Sequence, residues 1–333
     1  MSPLPPRSPF PIALHGPVAL APMSGITDLP MRNAVALFGA GLLVSEMISS
    51  REMVTARPSR RAASRARAEV NADVPTSVQL AGREPVALAE AARIAEGQGA
   101  PMIDLNMGCP AKKVTGGLSG SALMREPDLA LSLIDAVVSA VSVPVSVKMR
   151  LGWCDQSMNA AQIARRAESA GVRMLAVHGR TRMQFYTGNA DWAAVGAVVD
   201  AVSIPVFVNG DITCPDDARR AMALSGAAGV MIGRAVQGRP WLLAQIMAEL
   251  AGLPAVPSPD GDALVEIARA HYEDILEFYG EDVGVRIARK HLGWYVDAAG
   301  GDAGLRAVLV REGNPARVLE RLPDALRPMT EAA

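Results

Sequence analysis

The sequence is poor in the residues that mark several classes of protein. It has only three cysteines and four histidines among 333 residues. Neither type is clustered, so we expect no disulfide framework and no metal site. The apolar runs are short and are interrupted by proline, glycine or charge, so none approaches the roughly 20 residues of a membrane span. The net charge of −1 does not identify a partner.

The first 16 residues are rich in proline and lack the basic-then-apolar layout of a signal peptide. We interpret residues 1–16 as a loose arm that leads into the first strand. The lack of an export signal, together with the few cysteines, predicts a cytoplasmic protein.

What the chain does contain is a repeated alternation of short apolar runs with alanine-rich segments of helical period. The runs start about 24–42 residues apart, which is the length of a strand, a crossover helix and two loops. Eight such units favour an α/β fold of the (β/α)8 TIM-barrel type over a Rossmann-like or flavodoxin-like sheet, and no G-x-G-x-x-G follows the first run. The predicted strands are 18–23, 42–47, 76–80, 102–108, 144–150, 174–180, 205–211 and 229–235, and the clearest helices are 84–99 and 128–141.

The character of the sequence changes near residue 251, where a stretch rich in proline, glycine and aspartate predicts a linker. Helices are predicted at 263–280 and 283–297, followed by two shorter ones, and Asn314-Pro315 has the pattern of a helix N-terminus. The predicted organisation is therefore an N-terminal arm at 1–16, a catalytic barrel at 17–250, a linker at 251–262 and an all-α helical domain at 263–333.

Six predicted strands each carry one polar residue that is in inward register near the C-terminal end, where barrel active sites are built. For the first of these, Glu46, we expect a salt bridge. Four of the others, Gln79, Lys148, His178 and Asn209, together need a polar ligand, because a buried lysine without an anionic partner is costly. A planar heterocycle with donors and acceptors around its edge would satisfy them. The six residues are Glu46, Gln79, Asn106, Lys148, His178 and Asn209.

Two glycine-bearing turns follow the seventh and eighth predicted strands, namely Asn209-Gly210-Asp211 and Gly233-Arg234. Loops at these positions of barrels often bind phosphate. Bare glycine amides and an arginine side chain suit a phosphate monoester. Together with the polar strand ends, the turns predict flavin mononucleotide (FMN), with its ring over the barrel mouth and its phosphate beside the last two strands.

Cys109 lies just past the fourth predicted strand, between Gly108 and Pro110, in a turn that would face the barrel mouth. A free cysteine is most often buried packing, but the glycine and proline on either side favour an active thiol. With a pKa near ~8.5 a thiol is mostly protonated at neutral pH and can donate its proton to a carbanion-like centre. Cys154 and Cys214 lack this frame, and we interpret both as incidental.

Basic residues outnumber acidic ones in the predicted loops that follow the strands. A basic rim on a near-neutral protein predicts a polyanionic substrate, although a solvated helix face explains residues 57–67 equally well. In the tail, three basic residues at i, i+3 and i+4 form a stripe that argues for RNA there. We assign to substrate binding Lys112, Lys113, Arg180 and Arg182 of the rim and Arg286, Arg289 and Lys290 of the stripe. The other basic residues of the rim are Arg51, Arg57, Arg60, Arg61, Arg65, Arg67, Arg150, Arg234 and Arg239.

Several motifs resemble those of one enzyme family along most of the chain, from about residue 17 to about residue 297. APMSGITDLPMR, DLNMGCPAKKV, VKMRLGW, VHGRTR, VNGDI and MIGRAVQGRPW are similar to motifs of the bacterial tRNA-dihydrouridine synthases, and FYGEDVGVRIARKHLGWY is similar to the B subfamily. The resemblance implies an FMN-binding (β/α)8 barrel and a C-terminal helical domain that binds tRNA.

The resemblance also implies roles for individual residues. Cys109 would donate a proton to C5 of a uridine, and Asn106 would contact the uracil. Hydride would reach C6 from FMN that NADPH or NADH has reduced. The uridine would lie in the D-loop, at position seventeen by the B-subfamily likeness. The implied FMN contacts are Pro22, Met23, Ser24, Gln79, Lys148 and His178 for the flavin, and Asn209, Gly210, Asp211, Gly233 and Arg234 for the phosphate.

Two alternatives remain open from the residues alone. An FMN barrel that acts on a free pyrimidine, as a dihydroorotate dehydrogenase does, would explain the polar strand ends and Cys109 but not the basic rim. A non-enzymatic RNA-binding protein on a barrel scaffold would explain the rim but would be colourless when purified.

Overall fold

A computed structural model of the chain describes residues 10–55 and 74–327, and it contains a closed parallel barrel surrounded by helices. Eight strands confirm the eight predicted runs, and one further two-residue strand, β3, follows β2. The strands are β1 Val18–Leu20, β2 Leu42–Val44, β3 Ile48–Ser49, β4 Thr76–Ala81, β5 Met102–Met107, β6 Val145–Arg150, β7 Met174–His178, β8 Val206–Asn209 and β9 Gly229–Ile232.

The helices confirm the predicted alternation, with those of 84–99 and 128–141 shifted by only a few residues. They are α1 Leu29–Ala36, α2 Ser50–Val54, α3 Pro85–Gly97, α4 Lys112–Thr115, α5 Pro127–Val138, α6 Ala160–Ser169, α7 Trp192–Val199, α8 Pro215–Ser225, α9 Leu242–Leu250, α10 Gly261–Tyr279, α11 Glu281–Ala299, α12 Ala303–Leu309 and α13 Pro315–Ala325. Short 3₁₀ turns occupy Gly120–Arg125, Asp155–Ser157 and Arg234–Val236. At the start of α13 the Asn314 side chain accepts hydrogen bonds from two backbone amides, as its position before Pro315 predicted.

The barrel closes because the first strands pair with the last. All pairings are parallel, β1 lies between β2 and β9, and β2 also pairs with β4. Parallel strands buried on both faces are expected to be almost continuously apolar, and β1, β2 and β9 follow this rule. Polar residues interrupt it on β4, β5 and β6, where Gln79, Asp104 and Ser146 are buried.

One end of the barrel interior is closed by apolar packing. Met102, Met174 and Phe207 belong to a buried cluster inside the barrel, and Phe10, Ile12 and Leu14 pack against it. The Phe10 and Phe207 ring centroids are 5.6 Å apart. The prediction of a loose arm is therefore wrong for Phe10, Ile12 and Leu14, because their partly buried side chains pack against the barrel core, which composition alone does not reveal.

The chain divides into two compact units. The barrel unit lies within residues 1–28 and 40–233, and the helical unit within residues 29–39 and 234–333. The helical unit thus begins before the predicted boundary at residue 250. The reason is that Trp241 is buried in the core of the C-terminal helices, where the Phe38 ring packs 6.0 Å from it.

Helix α1 also belongs to the helical unit, although it lies between β1 and β2 in sequence. Asn33 donates a hydrogen bond of 3.0 Å to Asp274 on α10. None of the helices in residues 10–55 and 74–327 combines the length and apolar character that crossing a bilayer requires.

Candidate active site

Five of the predicted strand-end residues lie on neighbouring strands of the barrel. Asn106 of β5 is in register with Lys148 of β6, and His178 of β7 is in register with Asn209 of β8. Gln79 lies on β4, opposite Asp104 of β5 and so two residues deeper than Asn106. The alternation of side chains in parallel strands therefore brings these polar groups to one end of the barrel, as their spacing in the sequence predicted.

A chain of hydrogen bonds runs from the barrel interior to the backbone amide of Cys109. Gln79 donates through Nε2 to Asp104 Oδ2 at 2.7 Å and accepts through Oε1 from Asn106 Nδ2 at 2.7 Å. Asn106 Oδ1 in turn accepts from the amides of Gly108 and Cys109 at 3.2 and 3.0 Å. Each side-chain amide in the chain is thereby oriented by its neighbour, so the turn that carries Cys109 is fixed from inside the barrel.

Asp104 begins this chain, and the sequence analysis missed it. Its Oδ1 accepts a second hydrogen bond, of 2.6 Å, from Ser146. Burial raises the pKa of Asp104, and the hydrogen bonds from Ser146 and Gln79 and the nearby charge of Lys148 oppose that shift. The sequence does contain a signal for Asp104: Met102, Asp104 and Asn106 alternate along β5, so Asp104 has the same inward register as Asn106.

Lys148 is held by an amide rather than by a carboxylate. Its Nζ donates to Asn209 Oδ1 at 3.0 Å, and Asn209 Nδ2 donates to the carbonyl of Met231 on β9 at 2.7 Å. Burial, with a smaller contribution from the positive charge of Arg150, lowers the pKa of Lys148 to about 8. The lysine therefore stays mostly protonated at neutral pH and places a positive charge at the strand ends.

The turn around Cys109 is also supported by hydrogen bonds from Ser121 and Arg150. The Cys109 carbonyl accepts hydrogen bonds from the backbone amide and the hydroxyl of Ser121, at 3.1 and 2.9 Å. Gly120 has a φ of +60°, and a Cβ there would come within 2.9 Å of the Cys109 carbonyl. Arg150, itself buried, donates from Nε to the Gly108 carbonyl at 2.9 Å. The thiol is half-buried.

The other two cysteines are also half-buried and lie in different surroundings. Cys154 lies 3.3 Å from the Ser157 hydroxyl at the start of a 3₁₀ turn, and Cys214 precedes α8. Neither is hydrogen-bonded to the strand-end residues among the described contacts.

The turn after β1 contains Pro22, Met23 and Ser24, with Ser24 exposed. The amide of Met23 donates to the Thr27 hydroxyl at 2.8 Å, and the amide of Gly25 donates to the carboxylate of Glu46. Within the described residues Glu46 has no cationic partner, so the expected salt bridge is replaced by this backbone contact. A carboxylate at a turn amide can satisfy its lone pairs without a cation.

The turn after β8 is tightly built. Gly210 has a φ of +118°, and a Cβ there would lie 3.1 Å from the His178 ring, so glycine is required on both counts. Asp211 accepts hydrogen bonds from the Arg180 guanidinium and, at 2.8 Å, from the Ala190 amide. Arg180 is 1% exposed and also donates to the carbonyls of residues 187 and 188. It therefore lies inside the loop rather than on an exposed rim.

Gly233, which follows β9, differs from Gly210. A Cβ there would make only ordinary contacts, at 3.7 Å to Met23 Sδ and 3.9 Å to Ala21 Cβ. Packing within the protein therefore does not require glycine at this position. Arg234 is exposed and begins the 3₁₀ turn of the helical unit.

The remaining basic residues differ in exposure. Lys112 and Lys113 are exposed on α4, which directly follows the Cys109 turn. Arg182 is half-buried, with its guanidinium 4.9 Å from the Trp153 ring centroid. On α11 of the helical unit, Arg286 and Arg289 are exposed and Lys290 is half-buried. Arg51 pairs with Glu84. The rim residues that lie outside the described part of the chain are Arg57, Arg60, Arg61, Arg65 and Arg67.

No group of three or more histidine, cysteine, aspartate or glutamate side chains that could hold a metal ion occurs in the part of the chain that the structure describes. The candidate site thus consists of amides, one lysine, one histidine, one thiol and glycine turns. This set of donors and acceptors suits a planar polar ring and a phosphate.

Comparisons with known proteins show the family of the chain. A family model described as "Dihydrouridine synthase (Dus)" matches residues 19–330. A "Probable tRNA-dihydrouridine synthase" of Rhodobacter capsulatus is 61% identical over 314 residues, covering 94% of this chain and 96% of that protein. "tRNA-dihydrouridine synthase B" of Pseudomonas aeruginosa is 46% identical over 300 residues, covering 89% of each chain.

Among solved structures, histamine dehydrogenase from Rhizobium sp. 4-9 is similar in fold, with a TM-score of 0.54 and 12% identity. The match covers 80% of this chain and 50% of that one, and at this identity it supports the barrel fold alone. The family match covers nearly the whole chain. The chain therefore belongs to the dihydrouridine synthase family of flavin-dependent oxidoreductases.

Proposed function

We propose that this chain reduces the C5–C6 double bond of a uridine in tRNA, with FMN as its bound cofactor and NADPH, or NADH, as the reductant. The names of the relatives support tRNA as the substrate. The likeness to a B-type synthase, together with the motif at 278–295, favours a D-loop uridine, at position seventeen.

The residues at the strand ends fit FMN. Lys148 and His178 offer polar groups that the edge of a flavin ring needs, and the turn after β1 adds the half-buried Pro22 and Met23. Gln79 is fully buried with both ends of its amide bonded to Asp104 and Asn106, so we expect it to support the flavin site through these neighbours. Gly233, where no packing within the protein requires glycine, and the backbone of the Asn209–Asp211 turn suit the phosphate. We expect Arg234 and Ser24 to contribute to the same ligand, as the family motifs imply.

Reduced FMN, when bound, supplies the hydride that is added to C6 of the uracil. Cys109 gives its thiol proton to C5, which completes the addition of two hydrogen atoms and yields 5,6-dihydrouridine. Solvent returns a proton to the sulfur. The protonated Lys148 places a positive charge where the flavin ring would lie and so favours the anionic reduced form.

Two residues predicted to bind ligand take positioning roles in this mechanism. Asn106 engages its Nδ2 with Gln79 and its Oδ1 with the amide of Cys109, so it fixes the acid in place. Arg180 is buried and paired with Asp211, so it shapes the phosphate turn rather than contacting RNA directly.

The tRNA is held by basic residues in both units of the chain. Lys112 and Lys113 follow the catalytic turn and are exposed, which suits contacts to phosphates. Arg182 joins them in the barrel unit. The stripe of Arg286, Arg289 and Lys290 would supply such contacts from the helical unit. These contacts offset the few kcal/mol that are needed to remove the uridine from its stack.

The observation that carries this proposal is the hydrogen-bond chain from Asp104 through Gln79 and Asn106 to the amide of Cys109. Packing alone does not require four polar residues in this order. A chain of hydrogen bonds in this order is explained if catalysis requires the Cys109 thiol to be held in one position.

Nucleoside mass spectrometry of tRNA from a strain that lacks the gene tests the proposal. We expect dihydrouridine to be lost at one D-loop position and restored by the wild-type gene but not by a Cys109→Ala gene. The purified protein should be yellow and release FMN on denaturation. Unchanged dihydrouridine, or activity on free dihydroorotate without activity on tRNA, would contradict it.

A further inference from the structure

The loop after β7 presents aromatic side chains to solvent. Phe185 and Tyr186 are 42% and 47% exposed, and their ring centroids are 4.9 Å apart in an edge-to-face arrangement. Met183 of the same loop is 57% exposed. Grouped apolar surface of this kind marks a place where another molecule binds, and nothing in the mechanism above uses it.

The backbone of this loop holds the aromatic pair in place. Phe185 has a φ of +52°, which is unfavourable for a bulky residue and persists only where the surroundings impose it. The amide of Thr181 donates to the Gln184 side chain at 2.7 Å, and the amide of Thr187 donates to the Gln184 carbonyl at 2.8 Å. Arg180 Nε donates to the Thr187 carbonyl at 3.1 Å. The rings are therefore presented by a fixed loop.

One buried side chain ties this loop to the turn of Cys109. Arg150 donates from Nε to the Gly108 carbonyl and from Nη1 to the Phe185 carbonyl, both at 2.9 Å. Its guanidinium carbon also lies 5.5 Å from the centroid of the Tyr186 ring. The aromatic pair consequently keeps a set distance from the residue next to the proposed proton donor.

The surface next to the loop is cationic and aromatic. Trp153 has the guanidinium of Arg125 4.0 Å from its ring centroid and that of Arg182 4.9 Å from it. The amide of Met183 donates to the Trp153 carbonyl at 2.9 Å, so this stack adjoins the loop. Positive charge interleaved with exposed aromatic rings is the composition of surfaces that bind single-stranded nucleic acid.

We propose that Phe185 and Tyr186 form a stacking platform for a nucleobase that neighbours the reduced uridine in the RNA substrate. The inference rests on the proposed function. A uridine that leaves its stack exposes the face of the adjacent base, and an aromatic ring next to the active site can cover that face. Every base has such a face, so the platform adds affinity without demanding a particular sequence.

The test compares two RNA probes of equal length and charge, an oligouridine and an abasic sugar-phosphate oligomer. The variants are Phe185→Ala with Tyr186→Ala, Tyr186→Phe, and the control Leu224→Ala, whose side chain is 55% exposed elsewhere on the barrel unit. Affinity is measured by fluorescence anisotropy at several salt concentrations. Bound flavin absorbance reports that each variant is folded.

We expect the double alanine variant to bind oligouridine roughly tenfold more weakly and the abasic oligomer within twofold of wild type. The slope of affinity against salt should stay the same, because no phosphate contact is removed. Tyr186→Phe and Leu224→Ala should behave as wild type.

An unchanged affinity for oligouridine would overturn the platform, as would an equal loss for both probes. A change of oligomeric state with intact RNA affinity would mean that the aromatic pair contacts a second copy of the chain instead. Failure of the proposed function is distinguished by the wild-type protein, which would then form no dihydrouridine in tRNA.

Discussion

Each unit of the protein contains a buried cluster of polar side chains, and the two clusters are held together differently. In the barrel unit, Asp104, Gln79 and Asn106 are bonded to one another in sequence. In the helical unit, the Nε2 atoms of His271 and His291 are buried and, among the described residues, have no hydrogen-bond partner. The same statement holds for the hydroxyl of Tyr272 and the indole nitrogen of Trp241.

In the helical unit, His271, His291, Trp294 and Tyr295 form a cluster, which we call the helical cluster. It is held mainly by packing between the rings. The centroids of His271 and His291 are 4.8 Å apart, and those of His291 and Trp294 are 5.1 Å apart, both edge-to-face. One hydrogen bond, between His271 Nδ1 and the Tyr295 hydroxyl at 3.1 Å, joins the cluster. Burial lowers the pKa of His271 to about 4 and also lowers the pKa of His291, where the charge of His271 contributes, and Lys290 adds to both shifts.

The comparison shows what each kind of burial achieves. The carboxylate of Asp104 accepts hydrogen bonds from two donors. It thereby fixes which end of each following side-chain amide donates and which accepts, as far as the backbone amide of Cys109. Neutral imidazole and phenol rings have no such anchor, and they serve the helical unit as apolar surface with polar edges. Barrel substitutions should therefore affect chemistry, and substitutions in the helical cluster should affect stability.

The largest expected effect is on chemistry alone. Cys109→Ala removes the proposed acid and should lower kcat at least roughly a hundredfold, since a positioned proton donor contributes that much or more. FMN content, tRNA affinity and the free energy of unfolding should stay near wild type, because the thiol is half-buried and outside the amide chain. Cys214→Ala is the matched control. Full activity of Cys109→Ala would remove the thiol from the mechanism.

The next effect combines chemistry with stability. Asp104→Ala leaves the Gln79 and Ser146 donors buried and unpaired, and we expect a loss of about 2–3 kcal/mol in the free energy of unfolding. The activity should fall as well, because Gln79 and Asn106 lose their fixed orientation. Asp104→Asn can accept from Gln79 and donate to Ser146, so it should retain most of both. Chemical denaturation and single-turnover kinetics measure the two losses, and equal behaviour of the two variants would refute a directional chain.

The smallest effect concerns the helical unit and depends on pH. Because the folded pKa of His271 lies below the unfolded value of about 6.5, the unfolded chain binds more protons, and stability falls as the pH drops from about 7 towards 4. For this histidine alone the loss is about 2 kcal/mol between pH 8 and pH 5.

Chemical denaturation at pH 8 and pH 5, followed by tryptophan fluorescence, measures this loss. His271→Gln should reduce the pH dependence, whereas His15→Gln, at an exposed position in the barrel unit, should leave it unchanged. A pH dependence that His271→Gln does not alter would show that the cluster is not the titrating element.

Much of the local structure was readable from the sequence because it depends on local periodicity. The eight apolar runs and the alanine-rich helices between them have the spacing of a strand, a helix and two loops, and they form as predicted. Asn314 caps its helix because the cap needs only its own neighbours. Gln79 bonds to Asn106 and Lys148 bonds to Asn209, since parallel register brings equivalent positions of neighbouring strands to one end.

Other features depended on contacts between residues distant in sequence. Phe10 packs against the barrel core, and Leu29–Ala36 belongs to the helical unit. Both contacts form because burying apolar surface is favourable wherever the folded chain offers a complementary surface. In the sequence, Asp104 and Arg150 are only polar residues within apolar strands. Their roles become visible when the structure shows their hydrogen-bond partners on other strands and loops. By itself the sequence determined the barrel, its repeated units and the cysteine turn, because these follow from local pattern. Only the tertiary structure decided which buried polar atoms meet, because hydrogen bonding requires directions that no one-dimensional pattern contains.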